Sequence, residues 1–170
     1  MLVDVRIGTI SIAVLIAATA TGCKTGGTYH DERRPIGENN RGDTNGRSFD
    51  FVSTKPDGDE WTIRFRGDSM WVAYSIDDRN DDLGSFELDD KEVRRVWELV
   101  DELDIPGRHS GHIDDRDGTV LFRLREPGGE DGHETYTVYV SRDTDDDAVI
   151  DIADYLRKVI KRHTNETPNF

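Results

Sequence analysis

Residues 49–66 read FDFVSTKPDGDEWTIRFR, and this stretch decides the fold class. Apolar and polar residues alternate over residues 49–54 and again over residues 61–66. A period of two is typical of β-strands that have one buried side and one solvent-facing side. The sequence Lys55-Pro56-Asp57-Gly58 between them is a strong turn signal. The stretch therefore predicts two strands of a sheet with one solvent-exposed face.

Further strands follow along the chain. Met70–Ile76 is apolar enough for a third strand, the acidic residues 77–84 indicate a loop, and Ser85–Leu88 indicates a short additional strand. Residues 120–124 and 136–140 alternate in the same way on either side of a Gly-rich tip. This arrangement predicts a β-hairpin.

Apolar residues at helical spacing indicate two helices. Asp89 is the predicted N-cap of the first, Glu92 completes a capping box, and an apolar stripe runs from Val93 to Leu103. A Pro-Gly pair after this stripe ends the helix. The second helix begins near Asp145–Asp147, where acidic residues suit the helix dipole, and its apolar stripe covers residues 149–160.

The order strands, helix, hairpin, helix predicts an α+β fold. Half-polar helices and a sheet with one wet face give a two-layer sandwich, with a mainly antiparallel sheet and both helices on one face. A polar loop at residues 108–118 joins the first helix to the hairpin. We expect a single domain over residues 48–163, a disordered tail over residues 164–170, and a monomer.

The N-terminal residues resemble the signal peptide of a bacterial lipoprotein. Residues 7–20 are uncharged and apolar, too few to span a bilayer as a helix, and match the apolar part of a secretory signal. They end in Ala20-Thr21-Gly22-Cys23, which resembles a lipobox. The resemblance implies a signal peptide over residues 1–22 and acylation of Cys23, the only cysteine in the chain. An ordinary cleaved signal, with Cys23 present by chance, is the alternative.

Residues 23–47 predict a flexible tether. They are rich in Gly, Asn, Arg and Asp, and their apolar surface is too small to offset the entropy of ordering. Two or three acyl chains anchor a protein stably to a bilayer. We therefore expect a protein of the cell envelope, anchored to a membrane through a lipid on Cys23 and facing the periplasm or the exterior.

The chain is strongly acidic, with 36 Asp and Glu residues, 22 Lys and Arg residues and a formal net charge of −14. This charge argues against binding nucleic acid or anionic headgroups. It is compatible with cationic partners, with divalent ions, or with a high-salt habitat in which a carboxylate surface is common.

The acidic segments contain weak candidates for calcium binding. Asp78, Asn80, Asp82 and Asp89 fall at positions 1, 3, 5 and 12 of an EF-hand spacing. Leu83 stands where the sharp turn needs glycine. We therefore assign no metal ligand to this segment.

A zinc site would need three or four rigidly held ligands. His109, His112 and Asp114 have suitable side chains but lie in the predicted loop. The sequence contains no nucleophile-elbow or phosphate-cradling motif. We predict no cofactor and no catalytic residue.

Trp61, Trp71 and Trp97 are predicted to pack in the core, with a ligand-stacking patch as the alternative. The order of elements loosely resembles small bacterial protease-inhibitor-like domains of the emfourin sort, with no shared motif. The resemblance implies a non-enzymatic binding or inhibitory module that captures a protein or peptide on the open face of the sheet or at an edge strand. The alternative function is an envelope hydrolase or a divalent-metal-binding protein that uses the Asp-rich loops.

Overall fold

The structure is a computed structural model, and it describes residues 46–77, 79–128 and 132–170. The predicted signal peptide, Cys23 and nearly all of the predicted tether lie outside the described residues. The elements are, in chain order, β1 (Ser48–Thr54), β2 (Glu60–Arg66), β3 (Ser69–Ile76), β4 (Arg79–Glu87), α1 (Asp90–Glu102), β5 (Thr119–Pro127), β6 (His133–Ser141) and α2 (Asp147–Thr164). The predicted α+β class is confirmed.

All six strands form one sheet in the order β4-β3-β2-β1-β5-β6, and every neighbouring pair is antiparallel. The first four strands form a meander, and the β5–β6 hairpin joins it by pairing β5 with the free side of β1. The first strand in the chain is therefore a central strand of the sheet.

Both helices pack on the same face of the sheet. Phe49 and Phe51 of β1 and Phe122 of β5 are fully buried, and they belong to one apolar cluster with Val96 of α1 and Ile152 of α2. Burial of each large apolar side chain contributes about 1.5–3 kcal/mol. This single core confirms the predicted two-layer arrangement with an uncovered second face of the sheet.

The N-terminus of α1 has the predicted capping box. Asp89 Oδ1 accepts hydrogen bonds from the main-chain N–H groups of Lys91 (2.8 Å) and Glu92 (2.9 Å), and Glu92 Oε2 accepts one from the Asp89 N–H (3.1 Å). The Glu92 side chain is 4% exposed and also binds Arg162 (2.5 Å) and His163 (3.1 Å). One carboxylate therefore caps α1 and ties it to the end of α2.

Arg108 makes a second connection between the helices. Its Nε donates to the main-chain oxygen of Leu103 at the end of α1 (2.7 Å), and its Nη1 donates to Asp146 Oδ2 (2.5 Å). The other oxygen of Asp146 caps α2 by accepting from the N–H groups of Ala148 and Val149. The guanidinium thus joins the C-terminus of one helix to the N-cap of the next.

The prediction of an acidic loop over residues 77–84 is wrong for most of its length. Residues from Arg79 onward form β4, which pairs with β3 and carries a register shift opposite Val72 and Ala73. This strand lies at the edge of the sheet, and the side chains of its first half are mostly exposed. Main-chain pairing therefore forms a strand here without the apolar alternation that marks a central one.

The prediction of a disordered tail over residues 164–170 is also wrong. Residues 147–164 are helical, and the chain then turns back so that the Phe170 ring centroid lies 4.8 Å from that of Phe51 and 6.3 Å from that of Trp61. Trp61 Nε1 donates to Asn169 Oδ1 (3.1 Å), and Arg157 Nε donates to the Pro168 oxygen (3.2 Å). Phe51 and Trp61 are distant from this segment in sequence, so local composition does not reveal the packing.

Candidate functional site on the open face of the sheet

The face of the sheet opposite the helices is left uncovered by the two-layer packing. We call it the open face. Its side chains come from positions that alternate with the core positions, such as Asp50 and Val52 on β1 and Arg64 on β2. Because β1 lies between β2 and β5, open-face residues of these three strands stand side by side.

The loop at residues 108–118 covers part of the β6 edge. Gly111 N–H donates to the Tyr139 oxygen (2.9 Å), and the Tyr139 N–H donates to Ser110 Oγ (3.2 Å). A Cβ atom on Gly111 would lie 2.9 Å from the Tyr139 oxygen, so this close approach requires glycine. Both main-chain polar groups of Tyr139 are occupied, and a further strand has no free partner at this point of the edge.

The β4 edge is irregular. Its register shifts beside Gly84, which has φ +87°, and the Gly84 N–H donates to Asp82 Oδ1 (2.8 Å). Arg79 and Asp81 form an exposed ion pair at its start (3.0 Å). Bulges and charged side chains on an edge strand oppose pairing with another chain. The β4 edge is therefore less suited to the addition of a strand than a regular edge would be.

The first cleft of the open face, which we call the Tyr139 cleft, has a volume of about 330 Å³. Val52, Leu121 and Tyr139 form one cross-strand row in its floor. The loop contributes Ile113, which is 68% exposed, to its wall. The cleft therefore presents an apolar floor and an exposed apolar side chain to solvent.

The second cleft, which we call the Trp71 cleft, lies over β2, β3 and β4 and has a volume of about 490 Å³. The Arg64 guanidinium lies 4.9 Å from the centroid of the Trp71 ring. The prediction that Trp71 packs in the core is wrong, because its side chain is out of phase with the buried Met70 and Val72.

The other two tryptophans lie in the core as predicted. Trp61 is 5% exposed and Trp97 is 4% exposed. Trp71 Nε1 is buried and has no hydrogen-bond partner within the described residues. Among the three tryptophans, Trp71 is thus the one on the open face.

Glu60 lines both clefts. Its Oε2 accepts a hydrogen bond from the Thr54 hydroxyl (3.0 Å), and its Oε1 accepts one from the Thr62 hydroxyl (3.1 Å). Each carboxylate oxygen is therefore held by a neighbouring side chain on the sheet. This arrangement fixes a negative charge between the clefts.

Four arginines on the central strands form a basic surface, which we call the arginine band: Arg64, Arg66, Arg123 and Arg125. They are the only Lys or Arg residues on β1, β2 and β5, and all four lie on the open face. Asp50 stands between Arg64 and Arg123 in one cross-strand row, and its Oδ2 lies 3.6 Å from Arg123 Nη1.

Asp114 organises the loop beside the Tyr139 cleft. Its Oδ2 accepts from the Ser141 hydroxyl (2.6 Å), and its Oδ1 accepts from the N–H groups of Arg116 and Asp117 (both 3.0 Å). These donors, the Ser141 hydroxyl above all, hold the pKa of Asp114 below its usual range. Asp114 is therefore an ionised, fully engaged carboxylate that stabilises the turn.

The zinc candidates of the sequence separate in the structure. His109 borders a cleft of about 550 Å³ between α1, β6 and the start of α2, whereas Asp114 and Asp115 line the Tyr139 cleft and His112 is exposed. In the described part of the chain, no three His, Cys, Asp or Glu residues are arranged to hold a metal ion.

The calcium candidates separate as well. Asn80 and Asp82 are on β4, where one Asp82 oxygen accepts from the Gly84 N–H, and Asp89 caps α1. Asp78 lies outside the described residues. The EF-hand spacing thus runs along an edge strand and into a helix cap.

No protein-family model matches this chain, and no curated protein matches it. Within the described residues, neither helix combines the length and apolarity needed to cross a membrane.

Proposed function

We propose that the protein is a lipid-anchored module of the cell envelope that binds a polypeptide partner on the open face of its sheet and has no catalytic activity. The observation that carries this proposal is the pair of clefts side by side on an uncovered sheet face. Apolar and aromatic side chains line both clefts, including Trp71 and Tyr139. Aromatic side chains in such positions are common anchors of protein–protein contacts.

The state of two acidic groups in the clefts, Glu60 and Asp114, supports binding rather than hydrolysis. A general base needs a carboxylate oxygen within hydrogen-bond reach of a substrate proton. In the clefts, the oxygens of Glu60 are held by threonine hydroxyls and those of Asp114 by Ser141 and main-chain N–H groups. Both carboxylates are better suited to fixing the shape of the surface than to proton transfer.

The membrane anchor is proposed from the lipobox-like sequence that ends at Cys23. A Cys23→Ala variant is expected to move the protein from the membrane fraction to the soluble fraction of the producing cell. Membrane association that is unchanged in this variant would contradict lipidation.

Binding on the open face is tested with a matched pair of exposed isoleucines. Ile113 (68% exposed) borders the Tyr139 cleft, and Ile150 (41% exposed) lies on α2. The purified full-length chain is used for affinity capture and cross-linking in envelope extract, and the captured protein is identified and titrated against each variant. We expect Ile113→Asp to weaken its binding at least tenfold and Ile150→Asp to leave it unchanged.

Two outcomes would contradict the proposal. The first is equal binding by the wild type and Ile113→Asp. The second is an equal loss of binding in both variants, which would place the interaction away from the open face or make it nonspecific.

A further inference from the structure

We infer that the partner segment on the open face is acidic, and that it docks in extended form with carboxylates at alternate positions against the arginine band. This inference rests on the proposed function, because it names the chemistry of the partner that the same face would take.

The register of the central strands positions the four guanidinium groups. Arg64, Asp50 and Arg123 form one cross-strand row, and Arg66, Ser48 and Arg125 form the next. Neighbouring strands are about 4.8 Å apart, so the two arginines of a row are anchored about 10 Å apart. Along β2 and β5 the two arginines are two residues apart, which is about 7 Å.

An extended peptide has the same spacing along its own chain. Its alternate side chains point to one side and are also about 7 Å apart. A segment that lies along β1 would therefore bring one carboxylate of an acid-x-acid sequence to the row of Arg64 and the next carboxylate to the row of Arg125. The planar guanidinium matches a carboxylate with two parallel hydrogen bonds.

The charge of the band contrasts with that of the chain. The protein has an excess of acidic over basic residues, yet Asp50 is the only acidic residue within the two rows of the band. Arg64 and Arg125 are exposed, and within the described residues neither has a carboxylate partner. In an acidic protein, exposed arginines of this kind in the centre of a sheet leave two cations available to a partner.

The surroundings of the band favour a short acidic polypeptide over a more highly charged polyanion. Glu60 and Glu87 lie on the same face on either side of the band. The net charge of −14 repels nucleic acid and anionic membranes at longer range. A peptide with a few carboxylates in register with the band avoids most of this repulsion.

The test uses the purified full-length chain and a fluorescently labelled eight-residue peptide in which glutamate and threonine alternate. Binding is measured by anisotropy for the wild type, for Arg64→Gln with Arg125→Gln, and for the control pair Arg94→Gln with Lys158→Gln on exposed helix positions. An exposed Arg–carboxylate pair contributes a factor of up to about five. We expect about tenfold weaker binding for the open-face pair and little change for the control pair.

A second peptide, in which glutamine replaces glutamate, is expected to bind at least tenfold more weakly to the wild type. Equal binding of the two peptides, or equal binding of the Glu peptide to the wild type and the open-face pair, would overturn the inference. Tighter, arginine-dependent binding of oligothymidylate or of anionic phospholipid vesicles would also overturn it, since the partner would then belong to another class.

This experiment fails separately from the test of the proposed function. If Ile113→Asp loses a captured partner while the open-face arginine pair retains it, the partner is not acidic but the open face remains the binding surface. If both variants retain the partner, the inference and the proposed function are both wrong.

Discussion

Replacement of Phe170 by alanine tests whether the C-terminal residues are part of the folded domain. The Phe170 ring is half-buried between Phe51 and Trp61, and the Arg157 guanidinium lies 5.3 Å from its centroid. The Phe170→Ala variant removes the ring and leaves the hydrogen bond from Trp61 to Asn169 available. The loss of stability in this variant therefore measures the contribution of the ring contacts.

The expected loss of stability follows from these contacts. Full burial of a phenylalanine contributes about 1.5–3 kcal/mol, and half of that is about 1 kcal/mol. Aromatic pairing adds about 0.5–1.5 kcal/mol. The cation–π contact with Arg157 adds about 0.5 kcal/mol at a partly exposed site. We expect the free energy of unfolding to fall by about 2 kcal/mol.

Urea unfolding followed by tryptophan fluorescence measures this change. With a denaturant slope of about 1.5 kcal/mol/M, a loss of 2 kcal/mol lowers the midpoint by about 1.3 M. Thr167→Ala, at an exposed position of the same segment, is the matched control and is expected to leave the midpoint unchanged. If the Phe170→Ala midpoint falls by less than about 0.3 M, the packing of the C-terminal residues described above is wrong.

Two further predictions concern the helix connections. Glu92→Ala removes the partner of Arg162 and His163 and half of a capping box. We expect the free energy of unfolding to fall by about 2 kcal/mol in the same urea assay, and by less for Glu92→Gln. The second is a pH dependence. The Arg108 guanidinium holds the pKa of Asp146 below its usual range, so the ionised carboxylate stabilises the folded state at neutral pH. This stabilisation is lost as the pH falls below about 4. Asp146→Asn retains a capping side chain but not the charge. Its urea midpoint should therefore fall less between pH 6 and pH 3 than that of the wild type. Equal decreases would contradict a stabilising role of the ionised Asp146.

Features set by neighbouring residues were predictable from the sequence. Asp89 and Glu92 form the predicted capping box because both partners lie within one helical turn. The strand alternation from Trp61 to Arg66 places Trp61 in the core and Arg64 on the open face for the same reason. Trp71 could have been assigned to the open face as well, because it is one residue out of phase with Met70 and Val72.

Features that depend on distant partners were not predictable. Phe170 packs on residues more than a hundred positions earlier in the chain, and even the adjacent strand β3 stabilises β4 through main-chain pairing that the side chains of β4 do not reveal. To predict the arginine band, one would need to know that β5 pairs with β1. The sequence shows Arg64 and Arg66 on one strand and Arg123 and Arg125 on another, but a local pattern does not bring the two pairs together.

Protection of the β6 edge and construction of the Tyr139 cleft depend on the same loop. Gly111 lets the loop approach Tyr139 closely enough to occupy its main-chain groups, and Asp114 then holds the returning turn so that Ile113 borders the cleft. If charged side chains alone protected this edge, no loop would border the Tyr139 cleft on the open face. The loop thus blocks pairing at Tyr139 and shapes the face beside it. This is the physical reason to expect recognition by side chains on the open face rather than by addition of a strand.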